Sequence, residues 1–201
     1  MSTEKHPFEP FLPANAHVLF LGSFPPPSRR WSMVFFYPNY TNDFWYLIGR
    51  LWFGDKFHFA IRSEKRFDKE RIVEFCRKEG FAMYDTAAEV RRLKDNASDQ
   101  FLEVVTPTDI PALLAQIPEC QAIVTTGQKA TDTLCAAYAC PAPAIGQKVQ
   151  ITIPTPDSEG IVRPRTLDFY RMPSTSRAYP LPQERKAEAY GAMFRALGML
   201  P

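Results

Sequence analysis

Aromatic side chains crowd the stretch from Trp31 to Trp45, where Phe35, Phe36, Tyr37 and Tyr40 stand beside Asn39 and Asn42. Flat apolar faces next to amide groups offer a heterocyclic base both a stacking surface and partners for its edges. The same residues also suit plain core packing, with Asn42 as a helix N-cap. Upstream, Gly22-Ser23-Phe24-Pro25-Pro26-Pro27 makes a glycine turn that stiffens into an extended, polyproline-like loop. It has neither a GxGxxG pattern nor a Gly-Lys-Ser/Thr ending, so it is not a triphosphate cradle. Near the other end, Pro173-Ser174-Thr175-Ser176-Arg177-Ala178-Tyr179 combines small hydroxyl residues with one guanidinium. Such a loop can bind phosphate through backbone amides, hydroxyls and charge, or serve as an ordinary turn.

The elements that must position these loops follow from hydrophobic spacing. Val18 to Leu21 is a short continuous apolar run, as a strand buried on both faces requires, and Phe81 to Tyr84 and Ala122 to Thr125 repeat the pattern. Helical spacing follows each of them or precedes the next. It runs over Asn42 to Phe53, over Asp68 to Lys78 with Gly80 as a left-handed stop, and over Ile110 to Ile117 behind a threonine cap candidate. It returns over Gln128 to Ala139 and about Pro182 to Leu197. Lys148 to Ile153 and Thr166 to Arg171 alternate, which fits a hairpin or a bent edge pair. Strands alternating with helices predict a three-layer α/β/α sandwich around a central, mainly parallel four-stranded sheet, built as one domain over residues 1–201. In such sheets ligands bind beyond the carboxyl ends of the strands, where the three loops fall.

Composition narrows the class. Twenty-four Lys and Arg against 22 Asp and Glu leave a formal charge of +2, which argues against a broadly basic nucleic-acid coat while allowing a local patch. A hydrophobic share of 45% and a charged share of 23% are those of a folded globular chain. Cys76, Cys120, Cys135 and Cys140 show no CxxC pairing and no histidine at ligand spacing, so no metal site is expected and the thiols read as reduced. Glu4, Lys5, Glu9 and the nearby prolines interrupt any secretory signal, and no apolar run approaches the roughly twenty residues of a membrane span. A cytoplasmic protein with no membrane partner is expected.

Taken together and in this order, the motifs resemble those of the uracil-DNA glycosylase superfamily, particularly its hypoxanthine-DNA glycosylase branch. There, a strand ending in Gly-Ser-Met-Pro-Gly is followed by Tyr-Tyr-x-His-Pro-Arg-Asn-x-Phe-Trp, and the chain closes with Leu-Pro-Ser-Thr-Ser-Pro. The counterparts here are Gly22-Ser23-Phe24-Pro25-Pro26, Phe36-Tyr37-Pro38-Asn39-Tyr40-Thr41-Asn42-Asp43-Phe44-Trp45 and Met172-Pro173-Ser174-Thr175-Ser176-Arg177. Phe81-Ala82-Met83-Tyr84-Asp85-Thr86 is similar to the family's strand ending in Trp-Asp-Val, and Ile123-Val124-Thr125-Thr126-Gly127 to its strand ending in Asn-Gly. Departures fall at Pro26, Asn39, Tyr40, Thr126 and Met172, where the family or its uracil-specific members carry Gly, His, Pro, Asn and His.

The resemblance implies a monomeric DNA glycosylase without cofactor or metal, which flips uracil or hypoxanthine out of DNA and hydrolyses its N-glycosidic bond. It makes Asn42 and Asp85 the catalytic residues, Asp85 alternatively a cap for the next segment. Tyr37 becomes the stacking ring, the backbone around Gly22, Ser23 and Phe24 the electrophile for the base, and Asn39 and Thr126 further substrate contacts. Ser174, Thr175, Ser176 and Arg177 become the DNA grip, with Arg177 or a neighbour filling the gap left by the flipped nucleotide. Competing expectations are a catalytically drifted nucleic-acid or nucleotide binder of the same fold and a hydrolase of free nucleosides.

Overall fold

A computed structural model of the chain describes residues 3–93 and 99–201. In chain order the elements are β1 (Glu4–Lys5), β2 (Val18–Gly22), α1 (Phe44–Phe53), β3 (Ala60–Ile61), β4 (Arg66–Phe67), α2 (Lys69–Glu79) and β5 (Phe81–Asp85). After them come β6 (Ala87–Arg92), β7 (Leu102–Pro107), α3 (Ile110–Gln116), β8 (Ala122–Thr126), α4 (Gln128–Tyr138), β9 (Gln147–Pro156), β10 (Val162–Met172) and α5 (Gln183–Ala196). No helix among the described residues is long and apolar enough to cross a membrane.

The main sheet runs β5-β2-β8-β10-β9. Its first four strands are parallel, and β9 joins antiparallel to β10, so the sheet is mixed and has five strands where sequence suggested four. The alternating segments that read as a hairpin do form one, longer than expected, with Pro164 of β10 facing Pro154 of β9. Prolines are tolerated there because β8 pairs with β10 only from Asp168 onward, so nothing on that side needs the missing N–H.

Strand β2 is buried throughout, as its unbroken apolar run requires. Its alternate residues feed two cores. Val18 and Phe20 pack with Phe44, Trp45, Phe75, Phe81 and Phe194 under α1, α2 and α5. Leu19 and Leu21 pack with Ile110, Leu114, Ile123 and Leu134 under α3 and α4. The first layer is strongly aromatic: Phe81 and Phe194 stack at 5.5 Å between centroids and 15° between planes.

Helix boundaries follow local chemistry. Asp68 caps α2 by accepting from the Arg71 N–H at 3.1 Å, and Gly80 ends it at φ +69°. For α3 the cap is Asp109, which accepts from Ala112 N–H at 3.1 Å, and not a threonine: Thr106 belongs to β7, and the Thr108 hydroxyl is turned to the Asp85 carbonyl.

A second, three-stranded antiparallel sheet, β1-β6-β7, covers one end of the first, and sequence gave no hint of it. It closes a small cluster of Phe24, Ala87, Val90 and Leu102.

Gly80 supplies a stability test. A β-carbon there would lie 2.6 Å from the Asn15 carbonyl oxygen in a backbone already left-handed, whereas at Gly54, at φ +66°, it would meet nothing within 4 Å. Gly80→Ala is expected to lower the urea-unfolding free energy by about 2–4 kcal/mol, and Gly54→Ala by about 1 kcal/mol, the left-handed backbone contributing about 1–2 kcal/mol in each case.

Candidate active site

The parallel strands end in step. Gly22 pairs with Asp85, Leu21 with Thr125, and Met172 with Thr126, so the loops beyond them emerge side by side. From β2 the chain moves to β5 on one flank and then to β8 on the other, which makes the β2/β8 boundary the point where the winding reverses, the place where sheets of this kind leave a crevice.

At that end the Asp85 carboxylate lies against the Gly22 backbone. A β-carbon on Gly22 would stand 2.3 Å from Asp85 Oδ1, so only glycine fits. The turn is held by the Thr86 N–H and hydroxyl, which donate to the Gly22 carbonyl at 2.8 and 3.2 Å, and by the Thr108 hydroxyl on the Asp85 carbonyl at 2.7 Å. Asp85 does not cap a helix. Its Oδ2 accepts from His6 Nε2 at 2.8 Å, and its Oδ1 makes no hydrogen bond among the described residues.

The side chains of Ser23 and Phe24 are engaged by other parts of the chain. The Ser23 hydroxyl donates to Asp99 Oδ1 at 2.9 Å, and the Phe24 ring is sunk in the small-sheet cluster, so what they can offer a ligand is backbone. Asp99 is a second carboxyl at the turn that sequence did not single out. Burial pushes its pKa up, the Ser23 bond opposes this, and the neighbouring Asp85 charge adds to the rise.

Across the crevice, Tyr37 stands at φ +51°, in the left-handed region that a non-glycine residue enters at a cost. Two contacts hold it there: its ring stacks on Phe44 at 3.9 Å and 6°, and its hydroxyl bonds Thr126 Oγ1 at 2.9 Å. Burial pushes the phenol pKa well up, the Thr126 bond opposes this, and the Asp85 charge adds to it, which places Tyr37 and Asp85 in one electrostatic neighbourhood. Asn39 Oδ1 is used locally, accepting from the Thr41 N–H at 3.0 Å and the Thr41 hydroxyl at 2.9 Å. Asn42 Oδ1 accepts from the Phe44 N–H at 2.9 Å at the start of α1, and its Nδ2 makes no hydrogen bond among the described residues.

The loop after β10 is tied to the start of α1. Asp43 N–H donates to the Thr175 carbonyl at 2.8 Å. Lys186 of α5 donates through Nζ to Asp43 Oδ2 at 2.8 Å and to the Ser176 carbonyl at 2.9 Å, with both charged side chains almost wholly buried, at 1% and 4% exposure. Gln183 Nε2 donates to Asp43 Oδ1 at 2.9 Å, and the Tyr190 hydroxyl to the Pro173 carbonyl at 3.0 Å. Within the loop, Ser174 Oγ accepts from Ser176 N–H and Ser176 Oγ from Ala178 N–H, each at 3.2 Å. Ser176 and Arg177 are exposed and Ser174 is half-buried beside Gly127. Thr175 is buried, which removes it from any surface that grips DNA.

Gly22, Asp85, Tyr37 and Thr126 therefore meet at the strand ends, and Asn42, Ser174, Ser176 and Arg177 ride on the loops strapped beside them. His6, Asp43, Asp99 and Lys186 were missed by sequence reasoning. Lys186 was legible, because it falls on the apolar face that carries Ala187, Tyr190, Met193 and Phe194. Among the described residues no group of three His, Cys, Asp or Glu side chains is placed to hold a metal ion. Two surface clefts, of about 360 and 310 Å³, are lined by none of the residues of the three loops; the second is bordered by His6 and Tyr84.

Removing one partner of a buried ion pair leaves the other uncompensated, at about 3–5 kcal/mol. Lys186→Met is thus expected to lower the free energy of urea unfolding by that amount. The Asp43→Asn/Lys186→Met double variant should recover part of it, because the stranded carboxylate is gone.

No protein-family model matches the sequence, and no curated protein matches it. Among solved structures, the chain is similar to the solution NMR structure of a candidate uracil DNA glycosylase from Methanosarcina acetivorans. The likeness has a TM-score of 0.63 at 20% identity and spans 98% of this chain and 99% of that one, so the two share a fold from end to end.

Proposed function

We propose that this chain is a monofunctional DNA glycosylase, acting as a monomeric single domain, that extrudes uracil or hypoxanthine from DNA and hydrolyses its N-glycosidic bond. The observation that carries the reading is the convergence, at the reversal point of the sheet, of a carboxylate oxygen without a hydrogen bond among the described residues, on a side-chain-free turn, with a rigidly held aromatic ring. The shared fold with a candidate uracil DNA glycosylase and the ordered motifs support it.

In this reading the flipped base stacks on the Tyr37 face opposite Phe44, and the Asn42 amide nitrogen meets its edge. Backbone N–H groups at Ser23 and Phe24 stabilise the charge that gathers on the base carbonyl as the bond breaks. Water attacks the sugar carbon, its proton passes to Asp85 Oδ1, and the electron pair of the broken C–N bond leaves with the base, which takes a proton from solvent. Exposed Ser176 and Arg177, with Ser174, hold the flanking phosphates. Internal pairing of Tyr37 with Thr126 and of Ser23 with Asp99 favours one second reading, a binding protein of the same fold whose site has settled without turnover.

Incubation with duplexes carrying uracil or hypoxanthine, followed by alkaline treatment, should yield strand breaks at the lesion. Intact strands with salt-sensitive binding would favour the binding protein and end the catalytic claim. Asp85→Asn is expected to slow single-turnover excision by about 10²–10⁴-fold with little change in DNA affinity, as for loss of a general base. Gly22→Ala should do likewise, because its methyl group takes the place of Asp85 Oδ1. Arg177→Ala should weaken binding alone and make the slope of log Kobs against log salt shallower by about one.

A further inference from the structure

His6 enters none of the steps above, yet its side chain is only 2% exposed and bonds a carboxylate 79 positions away. It is delivered there by the small sheet. Glu4 and Lys5 pair with Val90 and Glu89, and the His6 N–H continues the ladder to the Ala88 carbonyl at 2.8 Å. The ring is walled by Tyr84 at 4.4 Å and Phe24 at 5.3 Å between centroids, with Phe8 and Phe36 beyond them.

The bonding of this ring is fixed at both nitrogens. Nδ1 lies 2.9 Å from the Phe8 carbonyl oxygen and 3.1 Å from the Phe8 nitrogen, so it can donate to one or accept from the other. In the tautomer whose Nδ1 accepts from the Phe8 N–H, Nε2 carries the proton and donates to Asp85 Oδ2 at 2.8 Å. A carboxylate with one oxygen clamped has a single remaining orientation, and that orientation sets Oδ1 against the Gly22 backbone.

We propose that His6 is a positioning residue for Asp85: the amino-terminal strand brings an imidazole to the back of the carboxylate, so that its other oxygen is presented at the Gly22 turn. The inference rests on the glycosylase reading, in which that oxygen receives the proton of the attacking water. It assigns the β1-β6-β7 sheet a place in the site, as the support of the group behind the base.

Two conservative variants separate positioning from simple packing. His6→Gln keeps an N–H where Nε2 stands, and His6→Asn keeps one only where Nδ1 stands. With enzyme in excess over uracil- or hypoxanthine-containing duplex, His6→Gln should retain the single-turnover rate within about threefold. His6→Asn should lose about 10- to 100-fold, the range seen when a group orienting a reactive one is removed. Affinity for an uncleavable duplex should stay unchanged in both. In the Asp85→Asn background, His6→Asn should add no further loss, because the bond it breaks no longer orients a base. Equal losses in the two single variants, a multiplicative loss in the double variant, or a wild-type rate in His6→Asn would each overturn the inference while leaving the glycosylase reading intact. Absence of excision by the wild-type chain would overturn both.

Discussion

The buried ion pair between Asp43 and Lys186 is the interaction on which the geometry of the candidate site depends. Two charges out of water are costly unless further partners satisfy them, and here Gln183 and the Ser176 carbonyl complete the set. The pair joins three parts distant in sequence: the first turn of α1, the loop after β10 and the helix α5 behind both. Added to it, the Asp43 N–H on the Thr175 carbonyl makes the aromatic loop and the Ser-Thr-Ser loop one body. The proposed base-stacking ring and phosphate grip would work together only if the distance between them is fixed, and the Lys186 pair fixes it.

A second constraint is the missing side chain at Gly22. In a parallel ladder, paired residues project to the same face, so Asp85 and a side chain at position 22 would compete for one space. Glycine cedes that space to the carboxylate. Tyr37 shows the opposite arrangement, a bulky residue held in a glycine-like backbone by a stacked ring and a hydroxyl bond. Strain of this kind persists where the surroundings over-determine it, and Tyr37 is bonded at the end of β8, next to the strand that Gly22 ends.

The central strands and the helices around them were legible because burial on both faces leaves an unbroken apolar run, and because Asp68 and Gly80 mark the ends of α2 chemically. The small sheet was not. Strand β7 shows a single buried residue, Leu102, and β1 has two residues, too few for a period to register. Loop placement was legible from the rule that ligands meet the carboxyl ends of parallel strands. Which side chain in a loop faces outward was not: Phe24 turns into the small-sheet cluster, and Thr175 is buried beside an exposed Ser176. His6 was beyond reach for a different reason, since its meaning lies wholly in a contact across 79 positions.

What a group at the strand ends can do depends on whether it is already satisfied. The Tyr37, Thr126 and Ser23 hydroxyls and the Asn39 carbonyl oxygen have internal partners, and giving one up to a ligand forfeits about 0.5–1.5 kcal/mol of net bonding. Asp85 Oδ1 and Asn42 Nδ2 have none among the described residues, so a ligand that meets them displaces only water. Motif matching ranks all of these residues alike. Internal hydrogen bonds divide these residues into groups that hold the loops together and groups without a partner among the described residues, and the latter are an acceptor and a donor, the pair that the proposed reaction asks for at a water molecule and a base edge.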